Sequence, residues 1–459
     1  MKTALGALTG SFFSAGQRLD SSRPFGLTSF TNSAEKKLVD IKFIEYDLPN
    51  GLHVILSPDK SAPVVAVDVW YHVGSKNEEP NRTGFAHLFE HMMFQGSAHV
   101  GKAEHMKYLE QAGGTFNGST TWDRTNYFET LPSNRLELAL WLESDRMLSL
   151  DISQENLDNQ REVVKEERRW RVDNRPYGTA WEKIFSLSYK IHPYHWPVVG
   201  YMQDLNAASV EDVRSFFRKY YAPNNAVLAI AGDFIVDNAK QLVEKYFADI
   251  PRGPEIKRPG IVEPPLAGQV RDTVYDNVAL PAVYMVFRIP SMTSGDAEPL
   301  NLAASILSQG ESSRLYQSLV YKKKIAQSVD AFSVDMEDPG VFVINAVVSP
   351  GHEPEEVENE IMAQLNNLAR EVPGDKELEK VKNQVSSQWV GQLSKALGRV
   401  DNLAQFYTLY GNTGETNNYL DKFLSVTKEQ VREVTGKYLT PQNSVVVCYL
   451  PKNQNKFGE

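Results

Sequence analysis

Two segments of this chain follow the same plan at a constant separation of 218 residues. Residues 210–227 and 429–445 both read as a helix, a turn and the start of a strand. The identical pairs at this offset are Val213/Val431, Lys219/Lys437, Tyr220/Tyr438, Pro223/Pro441 and Asn225/Asn443. Agreement at a single offset over so many positions indicates an internal duplication. The chain is therefore predicted to fold as two similar domains of about 210 residues each, within the usual range of domain sizes.

Each half mixes predicted strands with predicted helices. The apolar, β-branched runs at 64–73 and 341–348 predict strands. The helical periodicity of apolar residues in 237–247, 355–370 and 376–393 predicts helices. We therefore predict an α+β fold of two similar domains, each with a mainly antiparallel sheet covered by helices and related by internal duplication.

The predicted domain boundaries follow from composition. Residues 251–268 begin with a proline-rich, polar stretch and read as a linker. They separate an N-terminal domain, predicted at 38–250, from a C-terminal domain, predicted at 269–453. Residues 1–37 are polar and rich in serine, so we interpret them as a disordered tail, with a targeting leader as the alternative. The compartment is left open: a bacterial cytoplasm or periplasm is favoured, and an organelle is the alternative.

Composition is typical of a soluble globular enzyme. The chain has 459 residues, of which 42% are hydrophobic and 23% charged. Its formal net charge of −10 argues against general nucleic-acid binding, which usually needs basic stripes. Cys448 is the single cysteine, so no disulfide can form within the chain. No apolar run of about 18 residues or more occurs, so no transmembrane helix is predicted.

His87, Glu90 and His91 carry the strongest chemical signal. They lie in residues 83–96, which read as one apolar helix with Thr83 as its N-cap and Gly96 at its end. The histidines are four residues apart, so both project from the same helix face and can bind one metal ion. Glu90 borders that face and can reach a metal-bound water without being a ligand. The order His-x-x-Glu-His reverses the commoner zinc-peptidase signature but supplies the same groups.

A zinc site of this kind needs a third protein ligand. The best source is the predicted helix at 153–172, where Glu162, Glu166 and Glu167 compete. Glu162 and Glu166 share a solvated face, whereas Glu167 borders the apolar stripe. A carboxylate directed towards apolar surroundings is costly unless it is paired or bound to metal. Glu167 is therefore the favoured ligand, and Glu166 is the alternative.

These motifs resemble the pitrilysin, or insulinase, family of zinc peptidases. The sequence HLFEH at 87–91 is followed by Glu167, 76 residues after the second histidine. In that family the ligand glutamate follows a Glu-Arg pair, whereas this chain has Gln160 and Arg161, so the departure affects an auxiliary acid and not the metal ligands. Further matching segments are 113–132, 175–178 and 192–205.

The resemblance implies a zinc metallopeptidase that binds one Zn²⁺ per chain through His87, His91 and Glu167 in its N-terminal domain. It also implies that Glu90 is the general base and that sheets are covered by helices on one side. Asn117 matches a family asparagine beside the site, in a segment that also reads as a strand able to pair with an extended peptide substrate. An ordinary Asn-Gly turn at 117–118 is the alternative.

The second half repeats the pattern of helices and strands but lacks the metal-binding residues. Residues 302–310, which correspond to the segment of His87 and His91, contain neither His nor Glu. Self-sufficient members of the family carry an Arg and a Tyr seven residues apart in this half, and alignment places Val320 and Gln327 there. Arg314 and Tyr321 have the same spacing but fall six residues too early. The chain therefore resembles the metal-bearing subunit of the two-subunit members, whose partner carries the Arg/Tyr pair. A self-sufficient homodimeric peptidase and a non-catalytic assembly subunit are the alternatives.

Overall fold

The computed structural model describes residues 37–258 and 260–452. The chain there forms two sheets with helices packed around them, which confirms the predicted α+β class and the duplication. Apart from Lys37, the predicted tail lies outside the described residues. None of the helices in the described ranges combines the length and the apolar content needed to cross a membrane.

The first half contains a six-stranded sheet and eight α-helices among its described residues. Its strands are β1 (Ile44–Asp47), β2 (His53–Pro58), β3 (Val64–Tyr71), β4 (Thr115–Thr120), β5 (Thr125–Pro132) and β6 (Ala226–Gly232). Its helices are α1 (Phe85–Met92), α2 (Glu104–Gln111), α3 (Leu136–Ser149), α4 (Gln154–Arg168), α5 (Ala180–Ser188), α6 (Met202–Ala207), α7 (Val210–Tyr220) and α8 (Val236–Phe247).

The second half contains a five-stranded sheet and six α-helices among its described residues. Its strands are β7 (Val270–Asp276), β8 (Ala282–Arg288), β9 (Ala326–Val334), β10 (Val341–Val348) and β11 (Ser444–Pro451). Its helices are α9 (Ala297–Ser308), α10 (Pro354–Arg370), α11 (Asp375–Leu393), α12 (Ala396–Tyr410), α13 (Glu415–Ser425) and α14 (Lys428–Tyr438). The strands and helices predicted from periodicity correspond to β3, β10, α8, α10 and α11.

The two sheets have the same topology. The first runs β1-β2-β6-β3-β5-β4 and the second β7-β11-β8-β10-β9. Without β1, every strand of the first sheet has a counterpart at the same place in the second. Each sheet has one parallel pair of neighbouring strands, β2–β6 in the first and β7–β11 in the second. All the other neighbouring pairs are antiparallel. The shared strand order of the two sheets therefore agrees with the duplication that the constant offset predicts.

The two halves exchange equivalent helices, and this differs from the one-sided covering expected from the family. The first half's own helices cover one face of its sheet, and α12 of the second half covers the opposite face. In return, α5 of the first half packs on the second sheet. Shifted by 218 residues, α5 falls within α12, so the exchange is symmetric. Covering on both faces explains why β3 is buried along nearly its whole length rather than at alternate residues.

A buried ion cluster also joins the halves. The ammonium of Lys76 lies 2.8 Å from a carboxylate oxygen of Asp123, in the turn between β4 and β5. It also lies 2.7 Å from Glu337 and 3.0 Å from Asp338, in the corresponding turn between β9 and β10. His72 is 2.8 Å from Glu337. The two equivalent turns therefore meet across the contact between the halves.

The start of α1 differs from the prediction. The helix begins at Phe85 after Gly84, not after Thr83, and it ends at Met92 well before Gly96. Gly84 has a φ of 85°, and a Cβ there would stand 2.6 Å from the backbone oxygen of Val199. The capping acceptor lies shortly before the helix: the Glu78 carboxylate accepts hydrogen bonds from the backbone N–H groups of Gly84 and Ala86. The Thr83 hydroxyl, which was expected to cap the helix, donates instead to Asp204.

Candidate metal centre

Helices α1 and α4 bring three possible metal ligands together. His87 and His91 lie one turn apart on α1 and are 3% and 6% exposed. The packing of α4 against α1 places Glu167 beside them. Oε2 of Glu167 is 3.2 Å from Nε2 of His91 and 3.8 Å from Nε2 of His87. One ligand atom from each side chain lies within 4.8 Å of the other two, so a single ion could contact all three.

Local sequence determines how α4 faces the centre. Ser153 caps the helix by accepting a hydrogen bond from the N–H of Asn156. Val164 is fully buried, and the Arg168 guanidinium donates to the carbonyl of Gly200. These contacts fix the rotation of α4. The predicted continuation of the helix to residue 172 is a π-helical turn, Arg169–Asp173.

The three competing glutamates of α4 have different surroundings. The side chain of Glu167 is 10% exposed, whereas that of Glu166 is 70% exposed and pairs with Arg169. The Glu162 side chain is 61% exposed and pairs with Lys165. Of these three acids, Glu167 is therefore the one that the structure places with the histidines.

The electrostatics give two of these groups the protonation states that a metal site requires. Burial, and next the neighbouring His91 ring, lower the pKa of His87 to about 4, so its imidazole is neutral at pH 7. Burial by itself would raise the pKa of Glu167. The opposite effect of His91, His87 and Arg171 is larger, so the pKa falls to about 2. A neutral imidazole and an ionised carboxylate are the forms that bind a metal ion.

The surroundings of His91 show whether this donor set fits zinc. Its Nε2 is buried and lies 3.2 Å from Oε2 of Glu167, but the two atoms do not meet in the geometry of a hydrogen bond. A buried polar atom that makes no hydrogen bond costs free energy, so a ligand is expected there. Two imidazoles and one carboxylate are a donor set that zinc uses in catalytic sites, with a fourth position open to water. The residues present therefore fit zinc.

Glu90 lies beside the three possible ligands and is 1% exposed. Burial raises the pKa of its carboxyl group, although His91 and Thr120 act in the opposite direction. The Thr120 hydroxyl donates a hydrogen bond of 2.6 Å to Oε2 of Glu90. Sequence reasoning did not identify Thr120. The only signal was its place three residues after Asn117 in a predicted strand, and nothing in that spacing indicates which side chain it contacts.

Asn117 lies in strand β4, and not in a turn. This strand is at the edge of the first sheet, paired with β5 on one side. Its other edge has no neighbouring strand among the described residues. Backbone groups at such an edge can pair with an additional extended chain.

The second half has no corresponding centre among its described residues. Helix α9 is the counterpart of α1, and its Leu302, Ala303 and Ile306 are buried and apolar. The Arg314 guanidinium makes two hydrogen bonds of 2.8 Å with the carboxylate of Glu377. These contacts hold Arg314 within its own half.

Comparison with known proteins agrees with this geometry. The family model described as Insulinase (Peptidase family M16) matches residues 53–200, which contain the three possible ligands. The model described as Peptidase M16 inactive domain matches residues 207–385, which run from the end of α6 in the first half into α11 of the second half and contain none of the three possible ligands.

Curated relatives and solved structures match over most of the chain. The zinc protease PqqE of Helicobacter pylori is 31% identical over 408 residues, which cover 88% of this chain and 92% of that protein. A probable mitochondrial-processing peptidase subunit beta of Arabidopsis thaliana is 22% identical over 424 residues, covering 89% and 79%. The crystal structure of a protease from Helicobacter pylori has a TM-score of 0.86 at 30% identity, covering 90% of this chain and all of that one. The chain therefore belongs to the insulinase family, peptidase family M16.

Proposed function

We propose that this chain is a zinc metallopeptidase that hydrolyses peptide bonds in extended peptides. The observation that carries the proposal is the buried convergence of His87, His91 and Glu167 beside Glu90. The first three residues would hold one zinc ion. The names of the curated relatives, among them zinc protease PqqE, support the same metal and the same class of reaction.

When bound, zinc would act as a Lewis acid: it would polarise the substrate carbonyl group and lower the pKa of the attacking water. Glu90 is the general base in this proposal: its carboxylate accepts a proton from the attacking water and then donates it to the leaving amine. Its burial and the Thr120 hydroxyl hold the carboxylate in place.

Strand β4 is the proposed binding site for the peptide. Its unpaired edge offers backbone groups to an extended chain, and it lies against α1, which carries Glu90. Asn117 is half-buried in this strand. We assign it a substrate-binding role, in which its side chain would orient the bound peptide.

The chain is proposed to act as the catalytic subunit of a heterodimer. The positions at which a self-sufficient relative would carry Arg and Tyr are Val320 and Gln327 in this chain. Arg314 is committed to Glu377, so it is a poor substitute as an oxyanion donor. A homologous subunit with the Arg/Tyr pair would supply that donor and enclose the peptide. Such a donor is worth roughly 100- to 1000-fold in rate.

The test is a peptidase assay of the zinc-loaded chain, with and without a co-expressed homologue that lacks His-x-x-Glu-His. We expect weak activity alone, strong activity with the homologue, and loss of that gain when the homologue's Arg and Tyr are replaced. Full activity of the isolated chain would favour the homodimeric alternative. Absence of hydrolysis by the zinc-loaded pair would refute a peptidase function and favour a non-catalytic assembly subunit.

A further inference from the structure

Strand β4 touches the proposed general base as well as facing the proposed substrate. Of its residues, Gly118, Ser119 and Thr120 are buried, whereas Thr115 at the other end is exposed. The buried end lies against Glu90, and the exposed end leads away from it. One short strand thus connects the surface where a peptide would bind to the group that would move the proton.

Strand β4 lies along the Glu90 side chain. The Thr120 hydroxyl donates a hydrogen bond of 2.6 Å to Oε2, at the end of the side chain. Beside Cγ of Glu90, β4 carries Gly118, and a Cβ there would stand 3.2 Å from Cγ of Glu90 and 3.2 Å from Cδ1 of Tyr127, so a larger residue would crowd the glutamate. The hydrogen bond from Thr120 is therefore the contact by which β4 orients the carboxylate.

The hydrogen bond from Thr120 is built into a buried network. Thr120 is 4% exposed and Glu90 is 1% exposed, so water does not compete for this contact. The neighbouring hydroxyl of Thr125 lies 3.4 Å from that of Thr120 but donates to the carbonyl of Val73 at 2.9 Å. A hydroxyl has a single proton, and the Thr120 proton is directed to Glu90.

We propose that Thr120 is a positioning residue of the reaction, which holds the Glu90 carboxylate in the orientation that proton transfer requires. The inference rests on the proposed peptidase function. A proton acceptor must lie within hydrogen-bond reach of its donor, and a displacement of about 1 Å can cost roughly 100-fold in rate. Thr120 does not contact the reacting atoms itself. Its effect is therefore expected on kcat, and not on substrate or zinc binding.

The experiment compares Thr120→Val, which removes only the hydroxyl, with Thr120→Ser, which keeps it. In the zinc-loaded protein with its partner, we expect Thr120→Val to lower kcat by roughly 10- to 100-fold with KM and zinc content unchanged. Thr120→Ser should restore kcat to near the wild-type value. Thr125→Val is the matched control, because it removes a buried hydroxyl that does not bind Glu90; it should lower thermal stability without a comparable loss of kcat.

A crystal structure of each zinc-loaded variant gives a second measurement that does not depend on activity. The Glu90 carboxylate should be rotated or disordered in Thr120→Val and fixed in Thr120→Ser. An unchanged Glu90 conformation, or a kcat within twofold of wild type, in Thr120→Val would overturn the inference. If the wild-type protein and Glu90→Gln are equally inactive, the proposed function fails. The Glu90 conformation in Thr120→Val still decides whether Thr120 holds that side chain.

Discussion

Adjacent residues on α4 occupy opposite environments. Glu167 faces His87 and His91, and Glu166 faces solvent and Arg169. The placement of Glu167 next to an apolar stripe was readable from the sequence, because helical periodicity assigns neighbours to different faces. That its carboxylate meets the two imidazoles depends on how α4 packs against α1.

This contrast leads to a prediction about metal content. The wild-type chain should bind about one zinc ion. Glu167→Gln should lose most of it, because an amide is a weaker ligand than a carboxylate, and Glu166→Gln should keep it. Metal analysis after dialysis against a mild chelator measures both variants. Equal zinc content in the two would remove Glu167 from the ligand set.

The role assigned to Glu90 leads to a second residue-scale prediction. Glu90→Gln keeps the size of the side chain and removes the proton acceptor. Zinc content should be unchanged, because Glu90 is not proposed as a ligand, while kcat should fall by on the order of 100-fold or more. Peptide hydrolysis near the wild-type rate would show that this buried glutamate is structural.

At the scale of the element, α1 shows where local rules were insufficient. Threonine is a common N-cap residue. Because Thr83 stands just before the apolar helix, it was the expected N-cap of α1. In the structure Glu78 satisfies the first N–H groups of the helix, which frees Thr83 to bind Asp204. Gly84 is required because the chain turns there with a φ of 85° against the backbone of Val199.

The turn before α1 is therefore expected to be sensitive to a single methyl group. Gly84→Ala should lower the free energy of unfolding by about 1–3 kcal/mol, because alanine is strained at this φ and its Cβ collides with backbone. Urea denaturation followed by circular dichroism measures the loss. Gly295→Ala is the control: no atom lies within 4 Å of a Cβ there, and its stability should change little. Equal stability of the two variants would contradict this account.

At the scale of the whole molecule, the ion cluster around Lys76 and the exchanged helices join the halves. Lys76 is 12% exposed and meets three carboxylates, of which Glu337 and Asp338 come from the second half. Burial by itself would raise the pKa of Glu337. The opposite effect of His72 and Lys76 is larger, so the pKa falls from its usual 4.5 to about 2. A hydrogen bond with His192 is the largest effect on Asp338, and its pKa falls from 3.8 to about 2.

These shifts predict acid sensitivity with a defined sign. A carboxylate whose pKa is lower in the folded state stabilises the fold at pH values above its unfolded pKa, and this stabilisation is lost as the pH falls through the folded value. The contribution of Glu337 and Asp338 should therefore be complete above about pH 4.5 and should disappear towards pH 2. Urea denaturation at a series of pH values in this window measures it.

A pair of lysine variants separates this cluster from ordinary surface charge. Lys76→Met should destabilise the protein at pH 7 and flatten the dependence on pH between 4.5 and 2. Lys245→Met removes an ion pair with Glu137 that is exposed and so contributes little to stability, and the pH dependence should change far less than in Lys76→Met. The same pH dependence in Lys76→Met and wild type would show that the cluster does not contribute to acid sensitivity.

The sequence by itself determined the duplication, the main helices and strands, and the proximity of His87, Glu90 and His91 on one helix. These features depend on periodicity and on fixed spacings, which are local properties of a chain. Tertiary structure alone decided that α5 and α12 are exchanged, that Glu78 caps α1 and that Thr120 binds Glu90. The exchanged helices and the Thr120–Glu90 contact join segments that are far apart in sequence, and Glu78 lies outside the helix that it caps. No local pattern specifies such a contact, because it depends on how the packed elements bury their apolar faces and satisfy their polar groups.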